Sequence, residues 1–308
     1  MDQAEKLREL VRSKRQTEEK IEEKDDIEIL PHEKRTATKV IAVASGKGGV
    51  GKSNFTVNLA IELSKMGNRV MILDADLGLA NVDIIFGINP KYNLLHVIKE
   101  EKDIRDIITE TEYGVKVIAS GSGIKELANL SNQQRARFID RLSELEDMVD
   151  ILLIDTGAGI SKNTLSFIYA SDYSVVITTP EPTALMDAYG LIKVVTNNRK
   201  TVPLKLVVNM VNSKEEAKEI ASRVILLSRR FLNTFVESYG YIFRDKNVLN
   251  SVMVQKPFTV LHPSTKAAGC IKQIAGKVSN KLGREKPKEA EGGIGSVFNK
   301  VFDIFRQN

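Results

Sequence analysis

Eight consecutive residues, Gly46, Lys47, Gly48, Gly49, Val50, Gly51, Lys52 and Ser53, carry the densest chemical signal in the chain. A glycine, four intervening positions, then glycine, lysine and serine is the spacing of a phosphate-binding loop. Such glycines let consecutive backbone N–H groups turn inward onto phosphate oxygens. Lys52 brings positive charge to the β- and γ-phosphates, and the Ser53 hydroxyl is placed to ligate Mg²⁺. Asn54 follows in the first turn of a helix whose N-terminal dipole favours the same anion. Lys47 is a second lysine inside the loop. A side chain at that position does not easily curl back onto its own γ-phosphate, so it offers its charge to something opposite.

Further polar residues fit this chemistry. The apolar run 70–73 leads into Asp74 and Asp76, and the apolar run 151–154 leads into Asp155. An acid at the C-terminal end of such a strand emerges beside the phosphate loop of an open α/β sheet. Asp155 is placed to hold Mg²⁺ directly or through its waters. Asp74 and Asp76 are placed to orient an attacking water or to sense the γ-phosphate. Ser53, Asp74 and Asp155 are therefore the candidate metal set, and Lys47, Lys52 and Asp76 the candidate catalytic set. Asn209, after Val207 and Val208, is placed either to bond a purine edge or to cap the strand end. None of the three histidines is placed for catalysis: His32 lies in the N-terminal zone, His96 follows Leu94 and Leu95, and His262 precedes a proline.

These groups need a scaffold that delivers strand ends to one place. Apolar runs predict strands at 40–44, 69–73, 115–119, 150–154, 173–178, 204–210 and 239–243. Periodicity predicts helices at 53–66, 132–147, 161–170, 182–197, 213–236 and 264–281, with Phe55, Leu59 and Leu63 on one face of the first. Most of the strand runs are apolar throughout, so both sheet faces must be covered. Alternating strands and helices of this kind predict an α/β fold, a doubly wound and mainly parallel sheet with helices on both faces.

The chain has 308 residues, 42% of them hydrophobic, ample for one large α/β domain plus tails. Its net charge of +5, from 45 basic and 40 acidic residues, permits anionic partners without arguing for them. One cysteine, Cys270, excludes a disulfide framework or a cysteine-based metal site within one chain, and reads as a small buried hydrophobe on a helix. No apolar run approaches the length of a membrane span, and the first residues lack a signal peptide's basic and apolar regions, so the expected location is cytoplasmic.

The loop with Lys47, the segment from Asp74 to Gly78, and the strand ending in Asp155, Thr156, Gly157, Ala158 and Gly159 resemble the deviant-Walker-A ATPases, the MinD/ParA class of P-loop NTPases, over residues 39–282. That resemblance implies Mg·ATP as the ligand and a face-to-face homodimer with ATP. It implies that Lys47 reaches the partner's phosphates, that Asp76 positions the lytic water, and that slow hydrolysis breaks the dimer. Residues 1–38 form a charge-rich extension opening with Asp2, Gln3, Ala4, Leu7 and Arg8. This resembles the activator motif of the flagellar-number ATPases, the FlhG/YlxH/FleN group. In that group the segment docks on FlhF, a GTPase of the signal-recognition-particle type, and stimulates it. Flagellar switch-complex proteins are further partners that the resemblance suggests.

Residues 283–293 read as a flexible linker. In 294–308 after it, Ile294, Val297, Phe298, Val301, Phe302 and Phe305 make an apolar stripe on a helix. The stripe can enter the membrane interface, or the helix can fold back onto the domain, in all states or in the monomer alone. On the first reading one copy binds lipid weakly and an ATP dimer provides two, making the protein reversibly peripheral on the inner face of the cell membrane. The competing functional reading is a DNA-associated partition ATPase with a basic face of Lys193, Arg199, Lys200, Lys205, Arg223, Arg229 and Arg230. Solvated charge is the simpler account of those residues, and nucleic acid is not an expected partner.

Overall fold

In the computed structural model, the described residues are 38–76, 81–127, 129–197, 202–282 and 293–306. The motif residues Asp2, Gln3, Ala4, Leu7 and Arg8, and linker residues 283–292, lie outside them. The described strands are β1 (Lys39–Ala44), β2 (Val70–Ala75), β3 (Ile108–Glu110), β4 (Val115–Ala119), β5 (Ile151–Thr156), β6 (Tyr173–Thr178), β7 (Leu204–Val211) and β8 (Val236–Phe243). They form one sheet in the order β3-β4-β2-β5-β1-β6-β7-β8. The short edge strand β3 runs antiparallel to β4, and every other pairing is parallel.

The helices are α1 (Lys52–Lys65), α2 (Val82–Phe86), α3 (Leu94–Ile98), α4 (Gly123–Leu127), α5 (Asn132–Ser143), α6 (Lys162–Ala170), α7 (Pro182–Asn197), α8 (Lys214–Leu232), α9 (Lys246–Met253), α10 (Phe258–Leu261), α11 (Lys266–Leu282) and α12 (Ile294–Arg306). Successive side chains of a strand point to opposite faces, and β1 shows what each face meets. Ile41 and Val43 join a core with Phe55, Leu59 and Leu63 of α1 and Ile271 and Ile274 of α11. Val40 points the other way, into a core with Phe138 of α5, Phe167 of α6 and Phe298 of α12. Ala42 and Ala44 face Leu191 of α7 and Ala221 of α8 on that same side. Helices α5 to α8 and α12 therefore share one layer, and α1 and α11 lie in the other.

β1 is central, and the chain leaves it for β2 on one side while β6 lies on the other. That is a switch point, where an open α/β sheet gathers ligands at its C-terminal strand ends. The parallel register sets Asp74 opposite Asp155 across β2 and β5, with Val43 opposite Asp155 on β1.

Two expectations need correction. The helix expected over 213–236 stops at Leu232, where Asn233 turns left-handed at φ 47°, and β8 begins at Val236 rather than 239. The helix expected over 132–147 stops at Ser143. Of the alternatives left open for the C-terminal stripe, the monomer has the docked one, with Ile294, Val297, Phe298, Val301 and Phe302 buried against α5 and α6.

Candidate functional site

The phosphate loop joins β1 to α1. Gly46 lies so close to the α7 backbone that a Cβ there would collide with the Asp187 carbonyl. Gly51 has φ +87° and backs onto the Asn209 amide, so a side chain would be strained and obstructed. The loop is tied down at several points. Ser45 Oγ donates to the Lys47 carbonyl at 2.9 Å, and the Gly159 N–H donates to the Ser45 carbonyl at 2.9 Å.

Lys52 is buried, with Nζ 3.1 Å from Asp155 Oδ1. No hydrogen bond to any described group satisfies its donors. A buried ammonium in that condition fits an anion that completes its shell. Asp155 is fully buried. Its Oδ2 accepts from Ser53 Oγ at 2.6 Å and its Oδ1 from Thr56 Oγ1 at 2.9 Å. A serine hydroxyl and a carboxylate in contact at the foot of a phosphate loop are the donor set that Mg²⁺ requires. The residues present thus fit Mg·ATP.

Asp74 is placed differently. Its oxygens accept the Asp76 N–H at 3.1 Å and the Val82 N–H at 3.4 Å, so it braces the segment carrying Asp76. Burial, and then the facing Asp155 carboxylate, push its carboxyl up to about 7. Asp76 lines the pocket itself. Asn209 is buried and occupied: Nδ2 donates to the Val50 carbonyl at 2.8 Å, and Oδ1 accepts the Met210 N–H at 2.8 Å. It braces the phosphate loop and also lines the pocket.

Lys47 points out of its own loop. Its Nζ donates to Glu181 Oε1 at 2.7 Å and to Thr183 Oγ1 at 2.9 Å, at the start of α7. The lysine bond holds the Glu181 carboxyl below its ordinary range. The sequence reading missed Glu181, although it shows the same signal as Asp155, an acid just past an apolar strand. It also missed Thr56, which no motif marks, and the far end of the pocket. That pocket, of about 760 Å³, runs from Gly48, Gly51, Lys52 and Ser53 to Ile242, Arg244, Asp245 and Val248. Its apolar end suits the base of a nucleotide whose phosphates sit in the loop.

His96 and His262 stand where non-catalytic groups stand. His96 Nδ1 takes part in the N-terminal cap of α3, and His262 follows α10 at its C-terminal cap. Cys270 is buried on α11, and burial raises its thiol pKa.

Residues 36–279 match the ParA family, described as NUBPL iron-transfer P-loop NTPase. The chain is 37% identical over 242 residues to the antiactivator FleN of Pseudomonas aeruginosa, covering 79% of this chain and 86% of that protein. It is 38% identical over 269 residues to the flagellum site-determining protein YlxH of Helicobacter pylori, covering 86% of this chain and 90% of that one. Among solved structures, the septum site-determining protein MinD of Pyrococcus horikoshii, complexed with Mg-ADP, superposes with a TM-score of 0.65 at 23% identity. The match covers 82% of this chain and all of that one, a likeness of fold.

Proposed function

The chain belongs to the ParA/MinD family of P-loop ATPases, and from that premise we propose that it is an ATP-timed switch setting the number or placement of flagella. It is an ATP hydrolase that takes ATP with Mg²⁺. On our reading Lys52 and the loop amides would bind the phosphates, and Ser53 with Asp155 would hold Mg²⁺, whose charge would offset that of the transferring phosphoryl group. Asp76 orients the attacking water. Asp74 acts one step back, holding the Asp76 segment, and Asn209 does the same for the loop beneath the base.

One observation carries the switch reading: the group that would sense a second copy and the helix that would bind lipid are both held within the monomer. Lys47 is bonded to Glu181 and Thr183, and must leave them to reach a partner's phosphates. The apolar stripe of α12 docks on α6, the helix that follows the Asp155 loop. Thr164 of α6 donates from Oγ1 to the Gly157 carbonyl at 3.2 Å, and Phe167 on the same helix stacks edge-on with Phe298 at 6.1 Å. A shift of the Asp155 loop on ATP binding and dimerisation therefore reaches the surface under α12. Released, Val297, Phe298, Val301, Phe302 and Phe305 would enter the lipid interface, two copies per dimer. Among the described residues no helix is long and apolar enough to cross a membrane, so attachment on this reading is peripheral.

The flagellar role rests on the FleN and YlxH relatives and on the N-terminal motif. We assign residues 1–38 to stimulation of a signal-recognition-type GTPase, FlhF, through Asp2, Gln3, Ala4, Leu7 and Arg8. Switch-complex proteins are further candidate partners. The DNA-partition reading draws less support. Lys205 is buried with Nζ 3.6 Å from the Tyr173 ring centroid, and Arg223 is paired with Glu219. Arg199 and Lys200 lie outside the described residues, and for the exposed Lys193, Arg229 and Arg230 solvated charge remains the simpler account.

The test is a synthetic peptide of residues 1–20 added to the GTPase. It should raise GTP hydrolysis, and Gln3→Ala should remove the effect. No stimulation at high micromolar peptide would leave an ATPase switch without its flagellar assignment.

A further inference from the structure

Exposed apolar side chains concentrate in two places among the described residues. Leu249 and Ile84 line the nucleotide pocket, and Met253 and Val254 directly follow Val252 of its lining. The second set has no such explanation. On the last turns of α8 and just beyond, Leu226 is 65% exposed, Phe231 63% and Phe235 78%, with Leu227 partly exposed beside them. Leu226 lies on the outward side of α8, opposite the buried Ala221, Val224 and Ser228, Leu227 flanks it, and Phe231, seven residues after Val224, is exposed in the last turn of the helix. Arg223, Arg229 and Arg230 are exposed among them, and the Arg230 guanidinium lies 5.6 Å from the Phe231 ring centroid. Large exposed apolar patches mark interaction sites.

We propose that this arginine–phenylalanine patch is a second membrane contact that takes anionic lipid headgroups, working with α12. The proposal rests on the reading of α12 as a lipid-binding helix. Phenylalanines at an interface enter the headgroup boundary while arginines meet the lipid phosphates. Beyond the two α12 copies that a dimer brings, the patch would supply the charge that α12 lacks. The charged residues of α12 are Lys300 and Arg306 against Asp303, so it brings an apolar stripe and almost no net charge. A single apolar anchor binds marginally, and stable attachment takes two signals, commonly an anchor and a basic patch. The placement fits. α8 covers the same sheet face as α5, α6 and α12, so its outer side belongs to the layer from which α12 would detach. α8 also runs from the C-terminal end of β7 back to the start of β8. Phe231 and Phe235 therefore lie at the sheet end away from the phosphate loop, clear of a dimer formed across that loop.

The test uses the full chain with ATP, sedimented with vesicles of phosphatidylcholine, with and without phosphatidylglycerol. Four proteins are compared: wild type, Arg229→Ala with Arg230→Ala, Phe231→Ser with Phe235→Ser, and a chain lacking residues 294–308. ATP turnover and melting temperature check that the surface variants fold. The arginine variant should bind the anionic vesicles roughly 10-fold more weakly and the neutral ones unchanged. The phenylalanine variant should weaken on both. The truncated chain should keep weak, salt-sensitive binding to anionic vesicles alone. Wild-type binding by both patch variants, with none by the truncated chain, overturns the patch and leaves α12 standing. Full binding by the truncated chain, with loss in the patch variants, keeps the patch and overturns the α12 reading. Absence of wild-type binding to either vesicle overturns both. Patch variants that bind vesicles normally but lose a defined soluble partner assign the surface to protein instead.

Discussion

Helices α1 and α12 each bury an aromatic and aliphatic stripe in the core, yet they are held in different ways. α1 buries Phe55, Leu59 and Leu63 between β1 and β2, two strands to which it is joined directly. α12 buries Ile294, Val297, Phe298, Val301 and Phe302 just as fully, but follows the segment 283–292 and rests on α5 and α6. Burial alone therefore does not distinguish a permanent core helix from a displaceable one. The difference lies in the connections and in the contacts at the margins. α12 is fastened by polar bonds at the edge of its stripe. Arg135 bonds Asp303 at 2.6 Å and the Asn299 carbonyl at 2.9 Å, and stands 4.9 Å from the Phe302 ring centroid. Glu146 Oε1 accepts the Gly295 N–H at 3.0 Å at the helix start, where a carboxylate also favours the dipole.

The largest effect expected from this contrast is in α1. Leu59→Ala should cost about 2–5 kcal/mol of global stability, because the cavity opens in a core that cannot undock. Urea unfolding followed by circular dichroism measures it. Phe298→Ala removes a similar side chain and should weaken α12 docking by about 3 kcal/mol. The urea midpoint of the remaining domain should nevertheless stay close to wild type, and limited proteolysis near residue 293 should accelerate. Equal losses of global stability in the two variants would erase the distinction.

The two stripes were equally visible in the sequence, and only one of them could be interpreted there. The α1 stripe follows a phosphate loop whose strand-loop-helix context is local, so its place was legible. The α12 stripe has the same periodicity for lipid or for protein, and what decides between them is the complementary surface of Phe138 and Phe167, brought together by the fold. Asp155 and Lys52 were likewise legible from motif and strand end. Thr56 and the bracing use of Asn209 were not, because they depend on contacts with residues at least 99 positions away. The early stop of α8 was hidden by apolar Phe231 and Leu232, which continue the helical pattern up to Asn233. β3 escaped because three residues paired antiparallel at an edge leave no apolar run.

Smaller effects sharpen the comparison at the margins. Arg135→Ala should release α12 several-fold more often, a loss of about 1 kcal/mol, since part of that arginine's bonding is exposed to solvent. A fluorophore placed on residue 305 of an otherwise unchanged chain would report it. The least change is expected from Glu181→Gln. Lys47 loses its charged partner in the monomer, so ATP-driven dimerisation should occur at a few-fold lower protein concentration by light scattering. Unchanged dimerisation would mean that the Lys47–Glu181 bond does not restrain the switch.

The most direct test is hydrogen exchange of residues 294–306 in full-length Asp76→Ala, which should bind ATP without turning it over, compared in ADP and in ATP without lipid. With ADP the α12 amides should be protected as expected for a docked helix. With ATP, once the dimer forms, they should exchange faster while the α1 amides stay protected. Equal protection of α12 in the monomer and the ATP dimer would contradict an ATP-released helix and make α12 a permanent part of the core.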